Sequence, residues 1–418
     1  TLNAGTDLFA NNVNVGGDAN ITAGTQLTAH DVSVGGDLNA KAKNITVTSV
    51  TGKGNAVLTA DKDLTVTGAF SAHNAELTAG ENMTLGGKTD VGGTLTTNVA
   101  HDLTVNDAVT TGADFAAIVG NNAVTNGIVT TNGALKWNVG NDLTANAAVL
   151  SHGTTTIDAQ NVNLNADLMS DKNLAITAKD NIITKEGTNL STKADGRLKA
   201  RTVGFGGDVH ADGTLTIETD EQLAAKNITA GGDAVLTPGT DITVNDVTVG
   251  GNLNAKAVNI TAENISAGGN ATLNAGTDLF ANNVNVGGAA NIAAGTQLTA
   301  QNVTAKGDAV LRAGADLKTL NVAAGKDAAL TAEKNVSVHD VMAGGNVSLT
   351  AGHDAAIDGA VKTGDSAILT AKHDAVIGGA VTAGGDFSVD TGNDLIVNGA
   401  VTVQKNLTLH TGNDLTLN

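Results

Sequence analysis

Cysteine and tyrosine are absent from this 418-residue chain, proline occurs once, at Pro238, and aromatic residues make up 2% of it. The missing cysteine excludes disulfides, thiolate metal sites and cysteine nucleophiles. So few aromatics exclude a bulky globular core. No apolar run approaches the ~18 residues of a membrane span, and no basic-then-apolar leader opens the chain. Positive charge is also scarce: 23 Lys and Arg stand against 42 Asp and Glu, a net charge of −19. That balance argues against binding to DNA, RNA or anionic membrane, which requires Lys and Arg to neutralise phosphate. It favours solubility and discourages self-association, so a monomer is expected.

What the chain has is a repeat. Residues 1–17, TLNAGTDLFANNVNVGG, return unchanged at 272–288, and a shorter phrase recurs about every 19 or 20 residues. Examples are AGTQLTAHDVSVGGDLNAK from Ala23 and AKHDAVIGGAVTAGGDFSVD from Ala371. At that period the chain holds roughly 21 coils. With Leu8 as position zero, apolar residues follow at Ala10, Val13, Val15, Ala19, Ile21 and Ala23 before Leu27 restarts the cycle. Those are three alternating stretches per coil, each apolar on one face. Corners are expected at Asn11-Asn12, at Gly16-Gly17-Asp18 and at Gly24-Thr25-Gln26. Glycine and asparagine tolerate the positive φ that tight corners are expected to require. A helical reading fails, because 52 glycines are spread along the chain and each costs ~1 kcal/mol inside a helix.

The predicted fold is therefore all-β: a single continuous parallel β-helix over residues 1–418, roughly triangular in section. Parallel crossovers make it right-handed. Stacked coils would share one thin aliphatic core. At ~4.8 Å per coil the stack would form a rod on the order of 100 Å long. Thr1 lies inside a repeat and the last coil breaks off at Asn418, so the chain is expected to be a piece of a longer polypeptide.

The phrase A-G-x-D-L-x-A/V-x-x-V-x-V/A-G-G-D-A/L-x-L/I-T resembles the repeats of filamentous haemagglutinin-like exoproteins. That family includes two-partner-secretion adhesins and the sticks of contact-dependent inhibition proteins. The resemblance covers essentially the whole chain. It implies a secreted protein at a bacterial cell surface, exported unfolded through an outer-membrane transporter. The family's secretion domain, with NPNG-like motifs, and its toxin or receptor-binding domains have no counterpart here. The resemblance therefore implies a stalk that projects a distal binding or toxin module, with no enzymatic activity and no cofactor.

Breaks in the pattern are where specific contacts are sought. Residues 178–221 are the least regular stretch. With Leu198 at position zero, the preceding coil is expected to lose one strand, and the next to carry an insertion near residues 210–213. The same stretch holds Lys179, Lys185, Lys193, Arg197, Lys199 and Arg201, six cations in an acidic chain. They are the candidate surface-contact residues for an acidic glycan or a cell-surface receptor; a solvated charge run is the plainer alternative. That contact would make the stalk itself adhesive. Trp137 precedes Leu143 by six residues, as Ile21 precedes Leu27, so it should point inward. Phe115 and Phe387 should too, whereas Phe9 and Phe280 should be exposed.

Two polar columns recur at corners. One lies four residues after position zero: Asn12, Asp31, Asn227, Asp246, Asn264, Asn283, Asn302, Asn321 and Asp340. Stacked amides there can bond from coil to coil, a structural ladder. The other precedes position zero and includes Asp7, Asp63, Asp102, Asp278, Asp354 and Asp374. Carboxylate columns suit calcium, but the G-G-x-G-x-D nonapeptide of calcium-binding β-rolls is absent. His353 and His373 share a column, each before an Asp, the makings of a two-His, two-Asp zinc site. Nothing in the sequence supplies supporting order at that wet corner, so no metal site is expected. A polysaccharide-cleaving β-helix would need carboxylates ~5 to 9.5 Å apart in a groove of long loops. The short corners leave no such groove, so no catalytic residues are expected.

Overall fold

A computed structural model describes residues 1–418. The chain is a parallel β-solenoid of about 22 turns without helix, one more turn than the repeat count predicts. It divides into two compact units, residues 1–213 and 214–418.

In the first unit, each coil opens at a residue of one column: Leu8, Leu27, Ile45, Leu64, Met83, Leu103, Ala123, Leu143, Val162, Ile182 and Val203. The coil from Leu64 shows the plan. Its first face is Leu64–Val66, its second Phe70–Ala72 and its third Ala75–Ala79, with corners between them. Each strand pairs in parallel with its counterpart one coil away, as Leu77 does with Leu58 and Thr97. Where two residues rather than three form the first corner, the first two faces run on as one strand, as in Gln26–Val34. The second unit repeats the plan, and its strands Asn259–Ala267, Leu279–Val286, Leu298–Ala305 and Leu317–Ala324 stack in order.

Alternation sets the core. The third-face strand Ala19–Ala23 reads buried, exposed, buried, exposed, buried, and most third-face strands follow it. Inward Ala, Val, Ile and Leu fill a section too narrow for many aromatics. Four phenylalanines, Phe70, Phe115, Phe205 and Phe387, are buried, as is Trp137 at 2% exposure. Trp137 stacks on Ala117, a small residue that leaves room for the indole, and meets the Phe115 ring edge-on at 5.9 Å. Phe9 and Phe280 are exposed, at 72% and 40%.

The corners are tight for a different reason from the expected one. Gly187 is the only residue with positive φ. Elsewhere glycine serves close approach: a Cβ on Gly35, Gly120 or Gly314 would fall closer than 3.0 Å to the corner carbonyl of the coil before. Residues recurring at ~4.8 Å leave no room for a side chain aimed along the stack.

The irregular stretch also differs from expectation. Leu198 pairs with Ile176, which places it on the third face; Val203, paired with Ile182, is the residue at position zero. No strand is lost, because Leu190–Thr192, Gly196–Ala200 and Thr202–Phe205 complete the coil. The extra residues sit earlier, at the first corner. Five residues, 185–189, join Thr184 to Leu190, where three join Leu164 to Leu168. Gly187 donates its N–H to the Gly206 carbonyl and turns this bulge at φ +78°. Residues 210–213 hold an ordinary second corner. The alternation of apolar residues is the same on every face, so it cannot tell one face from another, and that ambiguity moved the register.

Candidate functional site

Polar side chains at all three corners form ladders along the stack. At the first corner, Asn283 donates its amide to Asn264 Oδ1 at 2.7 Å, Asn302 to Asn283 at 2.9 Å and Asn321 to Asn302 at 2.7 Å. Asn264 donates to Asp246 at 2.6 Å, Ser49 donates to Asp31, and the Ala360 N–H reaches Asp340. Asn12 pairs by register with Asp31, and Asn227 with Asp246.

At the third corner, the carboxylates accept backbone N–H groups from the following coil. Asn82 donates to Asp63 at 3.1 Å, Asn122 to Asp102 at 3.0 Å and Gln297 to Asp278 at 3.1 Å. The second corner has a ladder that the sequence reading missed. The backbone N–H of Asp37 donates to the Asp18 carboxylate, that of Asn55 to Asp37 and that of Asn252 to Asp233. Its signal was the recurring residue after Gly-Gly. An inward hydroxyl column was missed as well: Thr111 and Thr131 both donate to the Ala113 carbonyl, and Ser170 to that of Gly153. Buried hydroxyls thus satisfy corner carbonyls.

The six cations of the irregular coil are not gathered on one face. Arg197 and Lys199 point outward from the third face, on Gly196–Ala200. Lys179 and Arg201 follow the third-face runs that end at Ala178 and Ala200, and share the third corner one coil apart. Lys185 stands at the first corner and Lys193 at the second. Lys193 is ion-paired with Asp171 at 2.6 Å and Arg201 with Asp180 at 3.5 Å. His152 meets the other Asp171 oxygen at 2.7 Å. The hydrogen bonds from His152 and Lys193 hold the Asp171 carboxyl below its usual range.

Exposed large apolar side chains are scattered over both units, from Phe9 and Ile118 in the first to Phe280 and Leu320 in the second. Phe280 and Leu320 flank a groove of about 410 Å³ whose other walls are Thr299, Gln301, Lys318 and Thr319. Phe280, Thr299 and Lys318 are successive rungs of one outward column.

The tightest ionisable group lies at the third corner of the second unit. The rings of His353 and His373 stack with centroids 4.6 Å apart and planes at 22°. Both present Nδ1 to Asp354, His353 to Oδ2 at 3.0 Å and His373 to Oδ1 at 2.9 Å. Asp374 Oδ2 lies 3.2 Å from His373 Nδ1. The carboxylates are themselves held: Asp354 accepts the Asp374 N–H, and Asp374 accepts the Asp394 N–H and the Asn393 amide. The supporting order that the sequence could not supply is therefore present. Hydrogen bonding to Asp354 raises the His373 pKa above its ordinary value of 6.5 against a smaller opposing effect of desolvation, with added attraction from Asp374. Burial pushes the Asp354 carboxyl up, but the Asp374 amide and the two rings outweigh it and the net shift is downward. Asp374 is lowered by the Asp394 amide and by Asn393. The donor set able to take a metal is His353, Asp354 and His373, whose ligand atoms lie within 4.8 Å of one another.

No known protein family matches the chain, and no curated protein or solved structure does. The functional reading therefore rests on the coils themselves.

Proposed function

We propose that this chain is a stalk segment of a secreted bacterial cell-surface exoprotein, of the filamentous haemagglutinin-like adhesin or contact-dependent inhibition type. It holds a distal binding or toxin module away from the cell and catalyses nothing itself. Its partner during export is the outer-membrane transporter of the parent protein. The observation that carries this reading is the coil register. Strand pairs with like strand one coil on, corner ladders repeat at the same positions, and the longest first corner is five residues, 185–189. Such a stack is a sum of near-interchangeable units, each stabilised mainly by its neighbours. That suits a spacer, whose length can change by whole coils. The acidic corners disfavour side-by-side association of stalks through charge repulsion.

Coil excision tests this. Removing residues 279–297 joins Asp278 to Leu298, the residue that pairs with Leu279, and every column continues. Removing residues 279–288 instead joins Asp278 to a third-face strand. With a binding module fused at one end and a surface anchor at the other, the whole-coil deletion should fold and keep module binding, with reach shortened by ~4.8 Å per coil. The half-coil deletion should lose local exchange protection. Binding of the bare chain to cells or to a glycan panel, abolished when Lys185, Lys193, Arg197, Lys199 and Arg201 are neutralised, would replace the spacer reading with direct adhesion.

A further inference from the structure

The corner at His353 is built differently from the other third corners. Elsewhere in this column a histidine precedes the rung only at His101-Asp102, whose neighbours one coil away are Glu81-Asn82 and Asn121-Asn122. Here two successive coils both place His before Asp, and the 20-residue register stacks them directly, since His373 donates its backbone N–H to the His353 carbonyl. The stacking aims both Nδ1 atoms at one carboxylate.

We infer that His353, Asp354 and His373 form a binding site for a divalent transition cation of the zinc class, which staples two successive coils at their third corner. Three observations support it. The first is spacing. Donors around a tetrahedral zinc with bonds near ~2.0 Å lie about 3.3 Å apart. The Nδ1–oxygen separations are 3.0 and 2.9 Å to Asp354, and a fourth side chain, Asp374, places an oxygen 3.2 Å from His373 Nδ1. The second is donor chemistry. Two imidazoles with a carboxylate select zinc, nickel or copper over calcium and magnesium, which favour oxygen ligands. The third is support. Asp354 and Asp374 are oriented by backbone and side-chain amides of the following coils, the outer hydrogen bonds that metal ligands use. On binding, the metal takes the Nδ1 lone pairs, and each neutral ring carries its proton on Nε2. All four side chains are partly exposed, so the ion can enter from solvent.

The test uses the tag-free 418-residue protein and ZnCl₂ against a chromophoric chelator. One tightly held zinc per chain is expected. Losing a direct ligand should weaken it by at least the ~10- to 100-fold that losing an outer hydrogen bond costs, so His353→Ala and His373→Ala should each do so. His30→Ala, an exposed histidine bonded to Thr48, should not. Asp354→Asn keeps an acceptor for the Asp374 N–H while removing the charged ligand, so it separates metal loss from ladder loss. In proton spectra, zinc should shift the ring signals of His353 and His373, and excess calcium should leave them bound. The inference is overturned if the wild-type protein binds zinc no more tightly than the His353→Ala/His373→Ala pair, if zinc shifts other histidines instead, or if calcium displaces it.

Discussion

Replacing Gly314 and Gly276 by alanine, one at a time, separates the two reasons a corner can need glycine. They stand in one column of the second unit, two coils apart, and neither has positive φ. Their surroundings differ. A Cβ on Gly314 would lie closer than 3.0 Å to the Gly295 carbonyl oxygen, whereas the nearest atoms to one on Gly276 are at 3.7 Å, in Ala257 and Val258. The preceding coil passes Gly276 on Ala257-Val258, which leaves that corner open. At Gly314 the coils must part by on the order of an ångström, and overpacking of this kind costs about 1 to 3 kcal/mol. Part of that is strain on the 3.0 Å bond from the Gly314 N–H to the Ala294 carbonyl. At Gly276 the alanine fits, and the reduced freedom of the unfolded chain should add about 0.4 to 1 kcal/mol of stability. The two variants should therefore move in opposite directions. Glu333 occupies the same column one coil beyond Gly314, so the clash belongs to a glycine-built corner and not to the column. Repeat arrays need not unfold in one step. The assay is thus urea titration combined with native-state hydrogen exchange across residues 271–320. Equal shifts for the two variants, or a larger loss for Gly276→Ala, would refute the close-approach account.

Three further outcomes are expected. Asn302→Ala breaks the first-corner ladder on both sides and should cost about 1 to 2 kcal/mol; Asn302→Asp keeps the acceptor for Asn321 and should cost less, and equal exchange rates at the neighbouring amides in both variants would contradict the ladder. Trp137, buried beside Phe115, should emit at short wavelength and resist aqueous quenchers until the first unit unfolds; ready quenching in the native state would place it outside the core. In a proton titration, His373 should titrate above 6.5, and Asp354→Asn should bring it down. Its raised pKa means that the contribution is full below about pH 6.5 and fades as pH rises through the raised value. The lowered Asp354 and Asp374 act in the opposite sense, contributing fully above about pH 3.8 and losing it as pH falls further. The corner should therefore be tightest between those limits, and a His373 pKa at or below 6.5 would contradict it.

Much of this molecule was legible in one dimension because its contacts repeat at one-coil intervals. Period-2 alternation with a 19- or 20-residue return determines which side chains face inward. That is why Trp137, Phe115 and Phe387 could be placed in the core and Phe9 and Phe280 outside. The first-corner asparagines could be seen as a column because Asn283, Asn302 and Asn321 recur at a constant interval. Periodicity says nothing about which of three equally alternating faces a strand belongs to. Only the pairing of Leu198 with Ile176, and of Val203 with Ile182, decided that. Nor does composition say why glycine is needed: the answer, contact with the carbonyl one coil below, exists only once coils are stacked. The six cations are near one another in sequence, but the chain turns corners between them: Lys185 and Lys193 stand at the first and second corners, while Lys179, Arg197, Lys199 and Arg201 keep to the third face and its corner. His353 and His373 show the reverse. Twenty residues apart in the chain, they become stacked rings on one carboxylate, because a parallel coil returns each residue to its counterpart with a lateral offset of one strand spacing. Local alternation thus determined the fold and its core, while the stacking of coils decided register, the purpose of the glycines and which charged groups meet.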